Sequence, residues 1–285
     1  MSISITSLRV RQITILVKQD LQRTLQGPHG QLFLIFFALF WFWFLWQCSN
    51  GIAQSFSVNG NQSNEAWFIS WIFNLLIEGD QQVLFSDHPA TLSLYYVIAI
   101  SSMPIFALLA ACNQTASDIG TKYLRFIIPR CTRLEIFTAR FIGTGIIING
   151  AYLLATITAA SLSFAIDPDV SLAAVTSYAL QISLSILFYS LPFIAIMALC
   201  SASIGSASLS ALTGVSLYLI ATLSVSFVKF RWPDVEITGY LVPSVTKPLH
   251  LSLSFADLSQ AAVISMFYVL IFTGIGWRVF SRRDI

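Results

Sequence analysis

The feature that most constrains the fold of this chain is the absence of charge from six long apolar stretches. They cover 32–46, 91–112, 141–165, 171–200, 206–228 and 257–277, and Asp257, at the start of the last stretch, is their only charged residue. A charged side chain at the centre of a bilayer costs at least ~2.5 kcal/mol. A hydrocarbon core about 30 Å thick needs about 20 apolar residues of helix. The sequence therefore predicts an all-α polytopic membrane protein with six transmembrane helices.

The whole chain, 1–285, is predicted to be a single transmembrane domain. Hydrophobic residues make up 56% of it and charged residues 10%, against about 25% charged in soluble proteins. The largest segment outside the membrane is an outer loop, 48–90, which is too short for a large soluble domain. With flanking residues included, the predicted spans are 32–53, 91–112, 141–165, 171–200, 206–228 and 257–279.

The apolar spans also limit the function. Carriers driven by protons or ions usually place a charged residue inside the helix bundle, so we expect the energy for any transport to come from elsewhere. The four cysteines form no CxxC pair and no Cys/His cluster, and we expect no metal site. A membrane enzyme would need clustered His, Asp or Glu, and the two candidates, 167–169 and 87–88, are interpreted as turn and cap residues. No nucleic-acid partner is predicted.

Lysine and arginine residues predict the orientation. Twelve of the fifteen lie before span 1, between spans 2 and 3, or after span 6. The positive-inside rule places both termini and the segment 113–140 in the cytoplasm. This predicts a multi-pass protein of the cell membrane, of the bacterial inner-membrane type. The three tryptophans near the end of span 1, Trp41, Trp43 and Trp46, are interpreted as interfacial anchors.

An amphipathic helix is predicted at 7–26, before span 1. Val10, Ile13, Val17 and Leu21 recur at helical spacing. A basic face opposite this stripe suits a helix that lies in the membrane interface. The break at 27–30, Gly-Pro-His-Gly, then turns the chain into span 1. The basic residues expected at the interface are Arg9, Arg11, Lys18 and Arg23.

The segment 113–140 predicts a rigid cytoplasmic protrusion. Asp118 is a candidate N-cap of a short helix, 118–128, which Pro129 would end. Thr132 and Glu135 are spaced as a capping box that starts the helix of span 3. Between spans 4 and 5 the uncharged residues 201–206 predict a tight hairpin. Small residues after it, Ser206, Ser210, Thr213 and Gly214, share one helix face and favour close helix packing, with a polar pathway as the alternative.

Two motifs resemble the permease subunits of ABC-2-type ABC transporters. The first runs from Asp118 through Gly120-Thr121-Lys122, Leu124-Arg125 and Pro129-Arg130, and continues as Arg133-Leu134-Glu135-Ile136 and Arg140-Phe141-Ile142-Gly143. The second is the tail Phe280-Ser281-Arg282-Arg283-Asp284-Ile285. The N-terminal amphipathic helix and the six-span layout also agree, so the resemblance covers the whole chain. The chain departs from the family at Arg140, where relatives often have Lys, and in its sizeable outer loop.

This resemblance implies a half-transporter that pairs with a second permease subunit, the same or different. Each subunit would dock a cytosolic ATPase through a coupling helix in the region 115–130, and 7–26 would be the elbow helix. The chain itself has no Gly-x4-Gly-Lys-Ser/Thr loop, so ATP and Mg²⁺ are expected in the partner and no cofactor or catalytic residue in this chain. The residues implied in ATPase coupling are Asp118, Gly120, Thr121, Lys122, Arg125, Arg130, Arg133 and Glu135.

The predicted function is an ATP-driven exporter permease. Uncharged, aromatic-rich spans suit a hydrophobic or amphipathic substrate such as a lipid, peptide or drug, and a polysaccharide stays open. The alternatives are a non-transporting membrane scaffold of an ABC-linked surface assembly and a stand-alone carrier or channel. The outer loop 48–90 is a candidate docking surface for a periplasmic or extracellular accessory protein.

Overall fold

The computed structural model describes residues 2–47, 88–166, 171–232 and 243–283. Every regular element in these ranges is helical, and six of the helices are long and apolar enough to cross a membrane. The coarse prediction of an all-helical chain with six membrane-spanning helices is therefore confirmed. In chain order the helices are α1 (Ser2–Gln26), α2 (Pro28–Gln47), α3 (Ala90–Ala111), α4 (Ala116–Gly120), α5 (Leu124–Ile127), α6 (Arg133–Ile166), α7 (Leu172–Ser203), α8 (Ala207–Arg231), α9 (Lys247–Leu251) and α10 (Phe255–Arg282), with a 3-10 turn at Pro243–Thr246.

Helices α3 and α7 form the centre of the bundle. In the most apolar stretch of each of these two helices 67% of the residues are buried, against 11–28% in α2, α6, α8 and α10. Tyrosine hydroxyls in this centre bond across helices: Tyr96 to Ser185 Oγ at 2.6 Å, and Tyr178 to Ser93 Oγ at 3.0 Å. Such bonds satisfy polar groups that have no access to water. The four outer helices expose apolar side chains, as helices facing lipid or a second subunit do.

Trp41 corrects one of the sequence predictions. It is only 3% exposed and packs with its ring centroid 4.7 Å from that of Tyr95 and 6.0 Å from that of Tyr152. Trp41 is therefore a core residue that joins α2 to α3 and α6. Trp43 and Trp46 are 59% and 60% exposed, as anchors in a membrane interface require. Residues 48–53 of the first predicted span lie outside the described residues, as does most of the outer loop.

The corner between α1 and α2 forms where the sequence predicted it. Gly27 separates the two helices, and Pro28 begins α2, a position where the missing N–H of proline costs nothing. A Cβ atom on Gly30 would overlap the carbonyl oxygen of Thr24. The corner is therefore tight enough that only glycine fits at Gly30.

The segment between α3 and α6, residues 112–132, differs from its prediction and is called the connecting segment below. The sequence predicted one helix at 118–128, but the structure has two short helices, α4 and α5, separated by a turn. Lys122 adopts a left-handed φ of 58° in this turn. The Thr121 hydroxyl bonds back to the Ser117 carbonyl at 2.7 Å and helps to end α4.

The start of α6 agrees with its prediction. The backbone N–H of Thr132 donates to Glu135 Oε2 at 2.8 Å, and the N–H of Glu135 donates to Thr132 Oγ1 at 3.3 Å. This reciprocal pair is the predicted capping box. Helix α5 ends at Ile127, with Ile128 as its C-cap, directly before Pro129. The proline therefore ends α5, and the capping box restarts the helix four residues later.

Close packing around α7 also follows the sequence prediction. The hairpin after α7 is three residues long, since α8 begins at Ala207. A Cβ on Gly214 of α8 would overlap the sulfur of Met197 on α7. On the other side, the Ser190 hydroxyl donates to Asn149 Oδ1 of α6 at 3.1 Å. Small and polar residues therefore hold α8 and α6 against α7, as they do in other membrane bundles.

Helices α7 and α10 make the most extensive helix pair. Gly276 of α10 lies directly against the backbone of α7: a Cβ there would be 3.2 Å from Leu199 Cα and 3.3 Å from the Phe137 ring. Gly274, two residues earlier on the same helix, has nothing within 4 Å of the same position. The two glycines therefore lie in the same helix, but only Gly276 is closely packed.

We predict that Gly276→Leu destabilises the protein and Gly274→Leu does not. A leucine at 276 has to push two helix backbones apart, and overpacking of this kind costs about 1–3 kcal/mol or more. Thermal unfolding of the two purified variants in the same detergent is the measurement. Equal melting temperatures would show that α7 and α10 do not pack as described.

Candidate functional site

Four charged side chains meet where α1, α4 and α6 come together, and we call them the charge cluster: Asp20, Arg23, Asp118 and Arg140. Arg140 of α6 pairs with two carboxylates, through Nη1 with Asp20 Oδ1 and through Nη2 with Asp118 Oδ2 at 2.8 Å. Arg23 of α1 pairs with the other oxygen of Asp118. The cluster therefore connects three helices through residue pairs that are 95 and 120 positions apart in sequence.

Burial makes these ion pairs mutually dependent. The Asp118 side chain is 1% exposed, and those of Asp20 and Arg140 are each 10% exposed. An ion taken out of water costs several kcal/mol unless a counter-charge balances it. Burial raises the pKa of the Asp20 carboxyl, and the neighbouring Arg140 guanidinium opposes that rise. Arg140 is the buried cation that both carboxylates share, so its removal leaves two buried carboxylates with only Arg23, which is 43% exposed, to compensate them.

Neighbouring residues shape the cluster. A Cβ on Gly143 would be 2.6 Å from Asp20 Oδ2, so the absence of a side chain there lets Asp20 reach Arg140. Arg23 also donates to Ser117 Oγ at 3.3 Å, and its guanidinium carbon lies 5.3 Å from the centre of the Tyr123 ring. Arg23 therefore contacts α4 and the turn after it together.

On its other side, the connecting segment contacts the hairpin between α7 and α8. A Cβ on Gly120 would overlap the carbonyl oxygen of Gly205, and a Cβ on Gly205 would be 3.3 Å from Ile119 Cγ2. The two backbones therefore touch at this point. Helix α4 is held between α1 and α6 on one side and the α7–α8 hairpin on the other.

Two arginines join the end of α10 to the same region. Arg133 Nη1 donates to the carbonyl oxygens of Ser281 at 2.9 Å and Arg283 at 2.8 Å. Arg283 Nη1 donates to the carbonyl oxygen of Ala202, near the end of α7, at 2.8 Å. The carbonyls of Ala202 and Ser281 lie in the last turns of α7 and α10, and Arg283 is the C-cap residue of α10. Carbonyls at helix ends lack partners within the helix and favour cations.

The structure thus brings together some of the predicted site residues and leaves others at the surface. Asp118 was predicted as an N-cap, and this is wrong: Thr115 holds that position, and Asp118 lies inside α4, paired with two arginines. Gly120 and Arg133 make the contacts above, and Glu135 closes the capping box. The exposed ones are Thr121, Lys122, Arg125 and Arg130, together with Arg11 and Lys18 of α1. The side chain of Arg9 lies outside the described residues.

Sequence reasoning missed Asp20, and it did not place Arg140 in the site. Asp20 is the only acidic residue in 7–26, and it lies on the helix face that meets the bundle. Its position one turn from both Leu16 and Thr24, in an otherwise basic helix, was a signal for a buried partner. Nothing in sequence spacing could identify that partner as Arg140, 120 residues later.

A second buried polar group lies at the opposite end of the bundle. His250 of α9 is 0% exposed; its Nδ1 is 2.9 Å from Ser185 Oγ, and its carbonyl accepts from the Tyr96 hydroxyl at 2.6 Å. Burial lowers the pKa of His250 to about 4, so the ring is neutral at pH 7. Among the described residues no group of three or more His, Cys, Asp or Glu could hold a metal ion.

Neither a scan against protein-family models nor a search of curated proteins finds a match to this chain. The resemblance to ABC-2-type permeases therefore depends on the motif residues quoted above. The roles that this resemblance implies for them stay predictions.

We predict that Arg140→Gln destabilises the protein by about 3–5 kcal/mol, because it leaves two buried carboxylates with one cation. Arg125→Gln, which changes an exposed arginine of α5, should cost no more than about 0.5 kcal/mol. Thermal unfolding in detergent at pH 8 compares the two. Because Asp20 is more easily protonated than an ordinary aspartate, the loss in Arg140→Gln should shrink at pH 5. A loss of stability no larger than that of the control would show that the charge cluster does not stabilise the fold.

A second prediction concerns His250. Its pKa is about 6.5 when unfolded and about 4 when folded, so the unfolded chain binds the extra proton between these values. The contribution of the neutral His250 to the free energy of unfolding is therefore fully present above pH 6.5. It falls by about 3 kcal/mol as the pH drops to 4. The wild type should lose more stability between pH 7 and pH 4.5 than His250→Gln does. Parallel melting curves at the two pH values would contradict a buried neutral His250.

Proposed function

We propose that this chain is the membrane-spanning permease subunit of an ATP-driven exporter of the ABC-2 type. It would pair with a second permease subunit and couple to a separate cytosolic ATPase that binds ATP and Mg²⁺. The substrate would be hydrophobic or amphipathic, moved out of the cytoplasm across the bacterial inner membrane. Both termini and the connecting segment would then face the cytoplasm.

The observation that carries the proposal is the two-sided character of the connecting segment. Its inner side is fixed by Asp118 and Gly120, which contact α1, α6 and the α7–α8 hairpin. Its outer side exposes Phe126, at 76%, between the exposed cations Arg125 and Arg130. A large exposed aromatic flanked by arginines, outside the membrane-spanning helices, is a composition typical of protein interfaces.

A groove beside this outer face adds support for a protein partner. It has a volume of about 460 Å³ and separates α1 from α5. Ile15, 58% exposed, and Phe126 are its most exposed apolar side chains. Its lining residues are Gln12, Ile15, Leu16, Gln19, Tyr123, Phe126, Ile127, Arg130 and Cys131. A helix or loop of the ATPase could bury these two side chains together.

The mechanism follows from the rigid attachments of the segment. When the ATPases close around ATP, they would push the outer face of α5 and α4. Because Asp118 is held by Arg23 and Arg140, this movement would reach α1 and α6 without being absorbed by a flexible loop. Through Gly120 and Gly205 it would also reach α7 and α8. The helices that surround the pathway at the subunit interface would then shift relative to each other.

The first test is co-purification in mild detergent with candidate cytosolic ATPases from the same cell, beginning with any encoded beside it. Arg125→Glu and Arg130→Glu should each lower transport-linked ATPase activity several-fold, because they reverse charge on the docking face. Both are exposed, so membrane insertion and melting temperature should be unchanged. Arg231→Glu, an exposed arginine at the end of α8, is the matched control and should behave as wild type.

The outcomes of these experiments distinguish the permease from the stand-alone carrier and from the scaffold. Unchanged coupling in both variants, or no ATPase partner for a folded chain, would contradict the permease proposal and favour a stand-alone carrier. ATPase stimulation without substrate flux in proteoliposomes would identify the scaffold alternative.

A further inference from the structure

A cavity of about 250 Å³ lies next to the charge cluster, between the α1–α2 corner, the end of α3 and the first half of α6. Asp20, Arg23 and Arg140 line one part of it, and Phe33, Leu109 and Ile147 line another. The cavity therefore combines charged and apolar walls. It is separate from the docking face of the proposed ATPase, since Arg125 and Phe126 do not line it.

The polar and apolar residues are ordered along each wall. On α6 the lining residues are first Arg140 and Thr144, then Ile147 and Ile148. At a rise of 1.5 Å per residue, Arg140 and Ile147 are about 10 Å apart along the helix. The α6 wall therefore changes from charged to apolar over the distance that separates a headgroup from the start of its acyl chains.

The other two walls have the same order. On the α3 side, Leu109 lies within the helix, and Asn113 and Ser117 follow beyond its end. On the α1–α2 side, Arg23 precedes the corner and Phe33 lies inside α2. All three walls are polar at the end of the bundle and apolar toward the middle of the spans. Leu109 is 42% exposed, so the apolar part is open on the side of the bundle that faces lipid.

The charges in the cavity select the headgroup. Both arginines are already paired with aspartates, so a net anionic ligand finds no surplus cation. Arg23 has five N–H donors and a side chain that is 43% exposed, which leaves donors for a phosphate. The Asp20 carboxylate can accept N–H bonds from an ammonium group. A quaternary ammonium has no N–H to donate.

We infer that this cavity binds one phospholipid with a zwitterionic, primary-amine headgroup of the phosphatidylethanolamine type. The phosphate contacts Arg23, the amine contacts Asp20, and one acyl chain lies along Phe33, Leu109 and Ile147. The headgroup and the start of that acyl chain occupy the cavity, which at about 250 Å³ is too small for a whole lipid, and the rest of the lipid lies outside it beyond Leu109. This inference depends on membrane insertion but not on ATP-driven export.

Native mass spectrometry of the purified full chain tests it with three lipids of identical acyl chains. Offered together at equal concentration, the ethanolamine lipid should be retained at least five-fold more than the choline and glycerol lipids, at one molecule per chain. Ile147→Trp fills the apolar wall and should reduce this retention to the level of the choline lipid. Ile146→Trp, the neighbouring residue, is 49% exposed and does not line the cavity, so it should retain lipid as the wild type does.

A second pair of variants, on α3, tests whether a loss of lipid retention comes from a folding defect. Leu109→Trp should act as Ile147→Trp does, and Ile105→Trp, one turn earlier and 55% exposed, should act as wild type. Equal retention of all three lipids would show only unspecific lipid contact and overturn the proposal. Preference for the glycerol lipid would overturn the headgroup assignment. Full displacement of the lipid by soluble phosphoethanolamine at equal concentration would show that the cavity binds a free phosphate ester instead. This result would also overturn the proposal.

Discussion

Arg140 determines how the parts of this protein fit together at the charged end of the bundle. It is a guanidinium in the third turn of α6, almost removed from water, and such a charge is tolerated only beside anions. Asp20 and Asp118 supply those anions from two other helices. The position of α1 and of the connecting segment relative to α6 is therefore fixed by charge balance as well as by apolar contact.

The two ends of the bundle and its middle use different polar interactions for a common physical reason. At the charged end, ion pairs and arginine–carbonyl bonds hold α1, α4, α7 and α10 in place, where water can still solvate the edges. In the middle, neutral hydroxyls such as those of Tyr96 and Tyr178 bond across α3 and α7. At the far end, His250 is buried as the neutral ring. In the part of the chain that the structure describes, the charged residues lie where counter-charges or solvent can balance them.

Individual elements show how far the sequence could be interpreted. The capping box of Thr132 and Glu135 and the corner at Gly27 formed as predicted, because both depend on residues within one helical turn of each other. The prediction of one helix at 118–128 was wrong. Lys122 adopts a left-handed conformation after α4, and Gly120, the last residue of α4, contacts Gly205. Trp41 was assigned to the interface from its position near the end of a span, yet it packs on Tyr95. In both cases a distant contact decided the outcome.

The sequence by itself determined that the chain is helical, that six segments have the length and apolarity of membrane spans, and where the basic segments lie. These properties depend on local composition, which burial in lipid requires of every spanning helix. The tertiary structure decided which charges are buried and which are presented. Asp20 and Arg125 are both charged residues, and although the local sequence around Asp20 indicates a buried partner, it does not identify that partner as Arg140. Only the approach of α1 to α6 turns Asp20 inward, where Arg140 compensates it, and leaves Arg125 at the surface.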